Sequence, residues 1–283
     1  MKKFTAKCLT WSIILFIVGL SILLTAGLAG GFKQIETGVA NGFNKVEIFG
    51  FDIPVSFGWG NTVYDGTGTS FSQVLEGSEK VTKMQIDVGA SQVILVSTTD
   101  SQIKVEGENV VGEMECEING NECKIENNVS ARKISIGGSS LSVITIYVPS
   151  SIKFEDVKID LGAGDLKLSD INCDELELDF GAGDGNLSNV ICDKLVVECG
   201  AGNLVFDGSI SKEAKVDMAV GNAEMYLDDL DNYNIKVEAA LGKVTIGDEN
   251  YNSIGIDIER KGSTASADIE VEAAAGNVDI KQR

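Results

Sequence analysis

The sequence predicts an all-β protein built as a parallel β-solenoid, and three observations carry this prediction. Glycine-centred turns recur along the chain, at first every 19 residues. The flanks of each turn alternate apolar and polar residues with a period of two, as strands with one buried face do. The apolar residues keep the same phase relative to every turn, so stacked copies would share one continuous core. An antiparallel β-sandwich is the alternative, but it does not explain the constant phase.

Residues 1–31 are the first predicted element, an N-terminal transmembrane helix that anchors the protein. Lys2, Lys3 and Lys7 precede an uncharged apolar stretch at 9–29, close to the ~20 residues that a membrane-spanning helix needs. The basic flank is expected to stay in the cytoplasm, and the rest of the chain, which holds all 43 acidic residues, is expected to be extracellular. A signal peptide cleaved near Ala29 is the alternative.

Residues 32–80 are predicted to form an aromatic-rich juxtamembrane cap or stalk. This stretch contains eight of the 18 aromatic residues and a Gly/Thr/Ser-rich run at 58–72. A second interpretation is an aromatic surface that rests at the membrane interface or grips a ligand.

Residues 81–283 are predicted to form the solenoid. Turns with the sequence Gly-Ala-Gly start at 162, 181 and 200, and the series continues at Gly221, Gly242 and Gly276, with an early copy at 89–91. The apolar positions before the turns predict three inward residues in every copy. Those after the turns predict two, with one departure at Gly185 and Leu187. Each copy is therefore expected to be one rung of two strands, about 4.8 Å from the next.

Six cysteines fall in different contexts. An Asn-Gly pair at 119–120, between alternating segments, predicts a two-residue hairpin that places Cys116 opposite Cys123. Cys173 and Cys192 are separated by the 19-residue repeat and should occupy equivalent places on adjacent rungs. Both pairs are possible disulfides if the exterior is oxidising.

Acidic residues form a column on the outward face of the predicted rungs. Just before the last inward residue of each first strand, every copy carries Asp or Glu: Asp87, Asp160, Asp179, Glu198, Asp217, Glu238 and Glu272. The simplest interpretation is a solvated face that opposes edge aggregation and is partly neutralised by Lys158, Lys215 and Lys236. The alternative is a carboxylate stripe, Asp160, Asp179, Glu198, Asp217 and Glu238, that binds divalent cations weakly or docks a basic partner.

A second column follows the turn glycines and reads Asp165, Asp184, Asn203, Asn222, Lys243 and Asn277. A regular calcium ladder would not tolerate lysine, and its repeats would recur about every nine residues. Side chains that accept hydrogen bonds from turn backbone explain the column better.

Composition excludes several functions. With 43 acidic and 23 basic residues the formal net charge is −20, which opposes nucleic acid as a partner. The chain has no histidine, so Ser/His/Asp and Cys/His catalysis is excluded. We expect no catalytic residues, no cofactor and no dedicated metal site.

The Lys-rich start with a single span, the strand Ile144–Pro149 and turns such as Ala163-Gly164-Asp165-Leu166 resemble a bacterial membrane-anchored β-strand-repeat family of unknown function, often labelled "putative adhesin". The resemblance covers nearly the whole chain. It implies a right-handed, β-helix-like exported domain and assigns no catalytic residues.

These observations together predict a non-catalytic protein of the cell membrane with a single span and an extracellular C-terminal domain. The first hypothesis for its function is an adhesin-like binding or scaffold module that contacts a wall polymer or surface ligand. The alternative is an envelope-stress or signalling accessory that contacts another envelope protein through the juxtamembrane region.

Overall fold

The computed structural model describes residues 46–48, 51–53, 68–128 and 142–283. The chain divides into two units, Met1–Thr62 and Val63–Arg283. The described part of the first unit is one antiparallel pair, β1 (Val46–Ile48) with β2 (Phe51–Ile53). The predicted anchor at 1–31 and most of the predicted cap lie outside the described residues. Within the described ranges, no helix has the length and apolar content needed to cross a bilayer.

The described residues of the second unit form strands and two short 3-10 helices, at Ser78–Lys80 and Leu230–Asn232. Its strands are β3 (Thr69–Leu75), β4 (Lys83–Ala90), β5 (Gln92–Thr98), β6 (Ile103–Val110), β7 (Glu113–Asn119), β8 (Glu122–Asn128), β9 (Val143–Pro149), β10 (Phe154–Ala163), β11 (Leu166–Ser169), β12 (Asn172–Ala182), β13 (Gly185–Leu227), β14 (Tyr233–Ile246), β15 (Glu249–Arg260), β16 (Ala267–Ala275) and β17 (Val278–Gln282). β13 and β14 run through turns, so each contains more than one strand of the repeat.

Parallel pairing between equivalent strands builds the centre of this unit. The strands before the turns stack in one ladder, in which β4, β10, β12 and β13 pair in register. The strands after the turns stack in a second ladder, in which β5, β11 and β13 pair in the same way. These pairings confirm the solenoid-like stacking of rungs. The antiparallel sandwich is not observed, because antiparallel pairs are confined to the ends of the two ladders.

The predicted inward residues form the core. All of those before the turns are buried, as are those after the turns. The departure at Gly185 has a packing explanation: a Cβ at this position would lie 3.1 Å from Cζ of Phe180 and 3.2 Å from Cδ1 of Leu204. The glycine leaves the space that the large Phe180 ring fills, because core volume is shared between neighbouring positions.

The turn glycines are required for two separate reasons. Gly164, Gly183, Gly202, Gly221, Gly242 and Gly276 all have φ between +131° and +152°, where side chains other than hydrogen are disfavoured. In addition, a Cβ on Gly202 would lie 1.7 Å from the carbonyl oxygen of Gly183 on the next rung. The turns therefore approach so closely that only glycine fits.

The order of the rungs in space differs from their order in sequence. The rung at 267–282, here called the inserted rung, pairs on one side with β13 and on the other with β14. The sequence places the turn at Gly242 directly after the one at Gly221, which is wrong as a spatial order, because Gly276 lies between them. The early copy, in contrast, pairs directly with β10 although 73 residues separate their turns.

Antiparallel strands close both ends of the solenoid. At one end β7 pairs with β8, and β3 and β6 extend the ladder of β9. β3 lies within the range predicted as cap, so the last part of that range belongs to the sheet. At the other end β15 folds back along the whole of β14.

The predicted register of the hairpin between β7 and β8 is wrong. Asn119 pairs with Glu122, so Cys116 lies opposite Ile125 and Cys123 opposite Ile118. The two turn residues are Gly120 and Asn121, with Gly120 at φ +66°, and glycine at the first central position is typical of a type II′ turn. The turn thus forms one residue later than predicted and shifts the pairing by two.

Candidate functional site

The outward acidic column is continuous across the sheet and longer than the sequence indicated. Ten carboxylates of the described residues fall at register positions of successive strands, in the spatial order Glu115, Glu126, Asp87, Asp160, Asp179, Glu198, Asp217, Glu272, Glu238 and Asp257. We call this set the acidic row. Glu198 and Asp217 occupy equivalent places of consecutive rungs, whose turns touch at Gly202 and Gly221. All ten side chains lie on the solvent side and are at least partly exposed.

Three members of the acidic row were missed by sequence reasoning. Glu115 and Glu126 lie on the hairpin strands, and Asp257 lies on the antiparallel strand β15. None of these strands is followed by the turn glycine that aligned the other copies. The alternation Ile256-Asp257-Ile258 was the available signal, because it repeats the apolar-acidic-apolar pattern of the aligned strands.

The predicted order of the row needs one correction. Asp217 and Glu238 are not neighbours, because Glu272 of the inserted rung pairs with both of them. Burial raises the pKa of Glu272, and the charges of Asp217 and Glu238 raise it further. Oδ1 of Asp217 is buried and has no hydrogen-bond partner among the described residues. At the inserted rung, burial and like charges therefore both disfavour the ionised form of Glu272.

Lysines two positions earlier neutralise only part of the row. Lys215 lies 2.5 Å from Asp217, and Lys236 lies 2.6 Å from Glu238, as predicted. Lys158 instead binds Glu177 of the next rung at 2.5 Å. Because Glu177 is the register partner of Lys158 on the adjacent strand, this cross-rung pair replaces the expected contact with Asp160.

The middle of the acidic row therefore carries uncompensated charge. Asp87, Asp160, Asp179 and Glu198 take part in none of the ion pairs formed within the described ranges. On the turn side, the outward positions two residues later hold only glycine or alanine: Gly89, Gly162, Gly181, Gly200, Ala219, Ala274 and Ala240. No large side chain overhangs the carboxylates from that side, so a ligand can reach them across a flat surface.

The column after the turns is a hydrogen-bond ladder, which confirms the prediction. Oδ1 of Asp184 accepts from the backbone N–H of Asn203 at 2.8 Å, and Oδ1 of Asn222 accepts from the N–H of Asn277 at 3.1 Å. Oδ1 of Asn277 in turn accepts from the N–H of Lys243 at 3.1 Å. Lysine is tolerated at 243 because the next strand is the antiparallel β15, so the side chain at this position has no further turn to bond.

The described part of the chain contains no group of three or more Cys, Asp or Glu side chains placed to hold a metal ion. In the proposed cation stripe, neighbouring carboxylates follow strand spacing, about 4.8 Å, and no loop encloses them. A cation could therefore bridge two carboxylates but would find no cage, and calcium sites normally supply six to eight oxygens.

Four cysteines were predicted to lie in two facing pairs, and Cys116 and Cys123 do not face each other. Cys173 and Cys192 are register partners on adjacent parallel strands, as predicted. They line a surface cavity of about 350 Å³ together with Lys153, Asp193 and Ile191. All five described cysteines are free thiols. Burial raises the pKa of Cys192 to about 12, so this thiol is protonated at neutral pH.

Fold and surface together define a class: a β-solenoid with an exposed, extended acidic face. Residues 81–281 match the model of the Toastrack DUF4097 family, and the chain belongs to this family. No curated protein matches the sequence.

Solved structures similar to the chain include the following two. One is a "putative cell adhesion protein" from Clostridium sporogenes ATCC 15579, with 20% identity over 76% of this chain and 99% of that one, and a TM-score of 0.48. The other is a "putative adhesin" from Bacteroides fragilis NCTC 9343, with 13% identity over 76% of this chain and 97% of that one, and a TM-score of 0.38.

Proposed function

We propose that this protein is a non-catalytic surface protein of the cell envelope whose solenoid is an adhesin-like binding or scaffold module. The observation that carries the proposal is the acidic row, whose central carboxylates are exposed and unpaired within the described part of the chain. A rigid parallel sheet holds these charges at fixed spacing, so a ligand binds them without an ordering cost on the protein side. The partner chemistry that fits is an extended cationic polymer or peptide.

The location is part of the same proposal. Residues 1–31 anchor the chain in the cell membrane by one span, and the solenoid is extracellular. The basic residues before the apolar stretch support this orientation. Right-handed winding of the solenoid also belongs to the proposal, and the general preference for right-handed connections between parallel strands supports it.

Crosslinking of the full chain in its native membrane tests the function. The row variant is Asp160→Asn, Asp179→Asn and Glu198→Gln. A matched control, Glu79→Gln, Asp100→Asn and Glu108→Gln, removes the same charge from exposed positions outside the row. We expect a wall polymer or surface ligand to be captured by the unmodified chain and by the control, and to be lost in the row variant.

Three other outcomes of the crosslinking experiment would contradict the proposal. Equal loss in both variants would assign the binding to net charge alone, and unchanged capture in the row variant would show that the row is not the binding surface. Capture of a membrane protein through residues 32–80, independent of the row, would favour the envelope-stress or signalling accessory instead.

A further inference from the structure

The inserted rung lies within the stack of rungs and not at its end. It follows β14 and β15 in sequence, yet it lies between β14 and the rung at 210–227 of β13. The rungs at 210–227 and 233–246 therefore do not pair with each other, and the inserted rung occupies the space between them. We call the space between these two rungs the slot.

The backbone of the slot is specific for a strand with a correctly placed turn. A Cβ on Gly276 would lie 1.5 Å from the carbonyl oxygen of Gly221, and one on Gly242 would lie 1.6 Å from that of Gly276. Asn277 continues the turn ladder from Asn222 to Lys243. A strand shifted along its axis would lose both features, because glycine and Asx positions would no longer coincide with those of the neighbouring rungs.

Side chains of the inserted rung form specific contacts with one wall of the slot and with acidic residues beside the other. Glu270 binds Lys236 at 2.6 Å, and Oδ1 of Asp268 accepts from Nδ2 of Asn234 at 2.8 Å. Arg283 binds Asp207 at 2.9 Å and also pairs with Asp228. The inward residues of the inserted rung complete the core and are all buried: Ile269, Val271, Ala273, Val278 and Ile280.

The connection to the slot is separate from the slot itself. Residues 261–266 lead from β15 into the inserted rung and are held mainly by Asp231 and Asn232, through the N–H groups of Thr264 and Ser266. The contacts inside the slot involve a different set of residues. The same contacts are therefore available to an identical segment that arrives from another molecule, which is the condition for exchange of an element between protomers.

We propose that the slot is a strand-acceptor site that takes the 267–283 segment of a second copy of this chain, so that the protein forms strand-exchanged oligomers. The occupant is identified by the structure itself, because its own segment already satisfies the turn ladder, the ion pairs and the core of the slot. The proposal is independent of what the acidic row binds.

Site-directed crosslinking of full-length protein tests this exchange. Glu224 and Asp279 are register partners across one wall of the slot, and both are partly exposed. One population carries Glu224→Cys and a differently tagged population carries Asp279→Cys, both with Cys8→Ser and Cys116→Ser. After the two are unfolded together, refolded and treated with a short bis-maleimide, we expect a crosslinked species that contains both tags.

Two controls keep the result decisive. A single chain with both substitutions must give an internal crosslink, which proves that the positions and reagent are suitable. Replacing Glu224→Cys by Lys167→Cys, on an exposed position outside the slot, should abolish the mixed species. If the internal crosslink forms and the mixed species does not exceed the Lys167→Cys background at any protein concentration, the slot accepts only its own strand and the proposal is overturned.

Discussion

Replacing Gly202 by alanine should be among the most damaging single-methyl changes in this protein. Gly202 has φ +152°, and a left-handed backbone costs an alanine about 1 to 2 kcal/mol. The added Cβ would also lie 1.7 Å from the carbonyl oxygen of Gly183. Because both groups belong to backbone inside a close-packed ladder, the rungs would have to separate by roughly 1 Å.

Separation of the rungs sets the larger part of the cost. It would weaken the bond from the N–H of Gly183 to the carbonyl oxygen of Ala201, now 2.9 Å long, and the bond from the N–H of Asn203 to Asp184. Each is worth about 0.5 to 1.5 kcal/mol. With the backbone term, the loss in the free energy of unfolding should reach about 2 to 5 kcal/mol.

Gly77 provides the matched control. It also has a positive φ, +89°, but a Cβ there would meet nothing within 4 Å. Gly77→Ala should therefore cost only the backbone term, about 1 to 2 kcal/mol. Urea unfolding of the purified chain measures both variants, from the shift in midpoint at constant slope. If Gly202→Ala is no more destabilised than Gly77→Ala, close approach of the turns does not determine the glycine ladder.

Three further predictions follow from burial and charge. Val197→Asp places an unpaired charge at a fully buried site and should unfold the solenoid, whereas Lys158→Ala removes an exposed ion pair worth less than about 1 kcal/mol; equal thermal midpoints would contradict the packing. The pKa of Glu272 is raised by burial and then by its acidic neighbours, so protonation favours the folded state. This contribution is present below the ordinary glutamate pKa of about 4.3 and is lost as the pH rises through the raised value. Glu272→Gln should therefore stabilise the protein at pH 7 more than at pH 4, and an equal effect at both would refute this. Under oxidising conditions, peptide mapping should find Cys173 linked to Cys192, and a map showing only free thiols would contradict it.

Local features of the sequence determined the strands, the turns and the buried face. Alternation with period two is a property of each strand alone, and the repeated glycines mark turns whose geometry excludes other residues. These signals predicted the inward residues, the hydrogen-bond ladder at Asp184 and Asn203, and seven members of the acidic row. They were sufficient because every rung repeats the same alternation of apolar and polar residues and the same glycine turn.

Only the tertiary structure decided which rungs are neighbours and how the hairpin is registered. All rungs share one apolar phase and one turn chemistry, so the local pattern fits the rung of Gly242 or that of Gly276 equally well beside Gly221. Contacts such as Glu270 with Lys236, together with the path through β15, select the observed order. In the hairpin, a shift of two residues leaves every side chain on the same face. Alternation therefore cannot distinguish the two registers of Cys116, and the choice between them rests on the turn at Gly120.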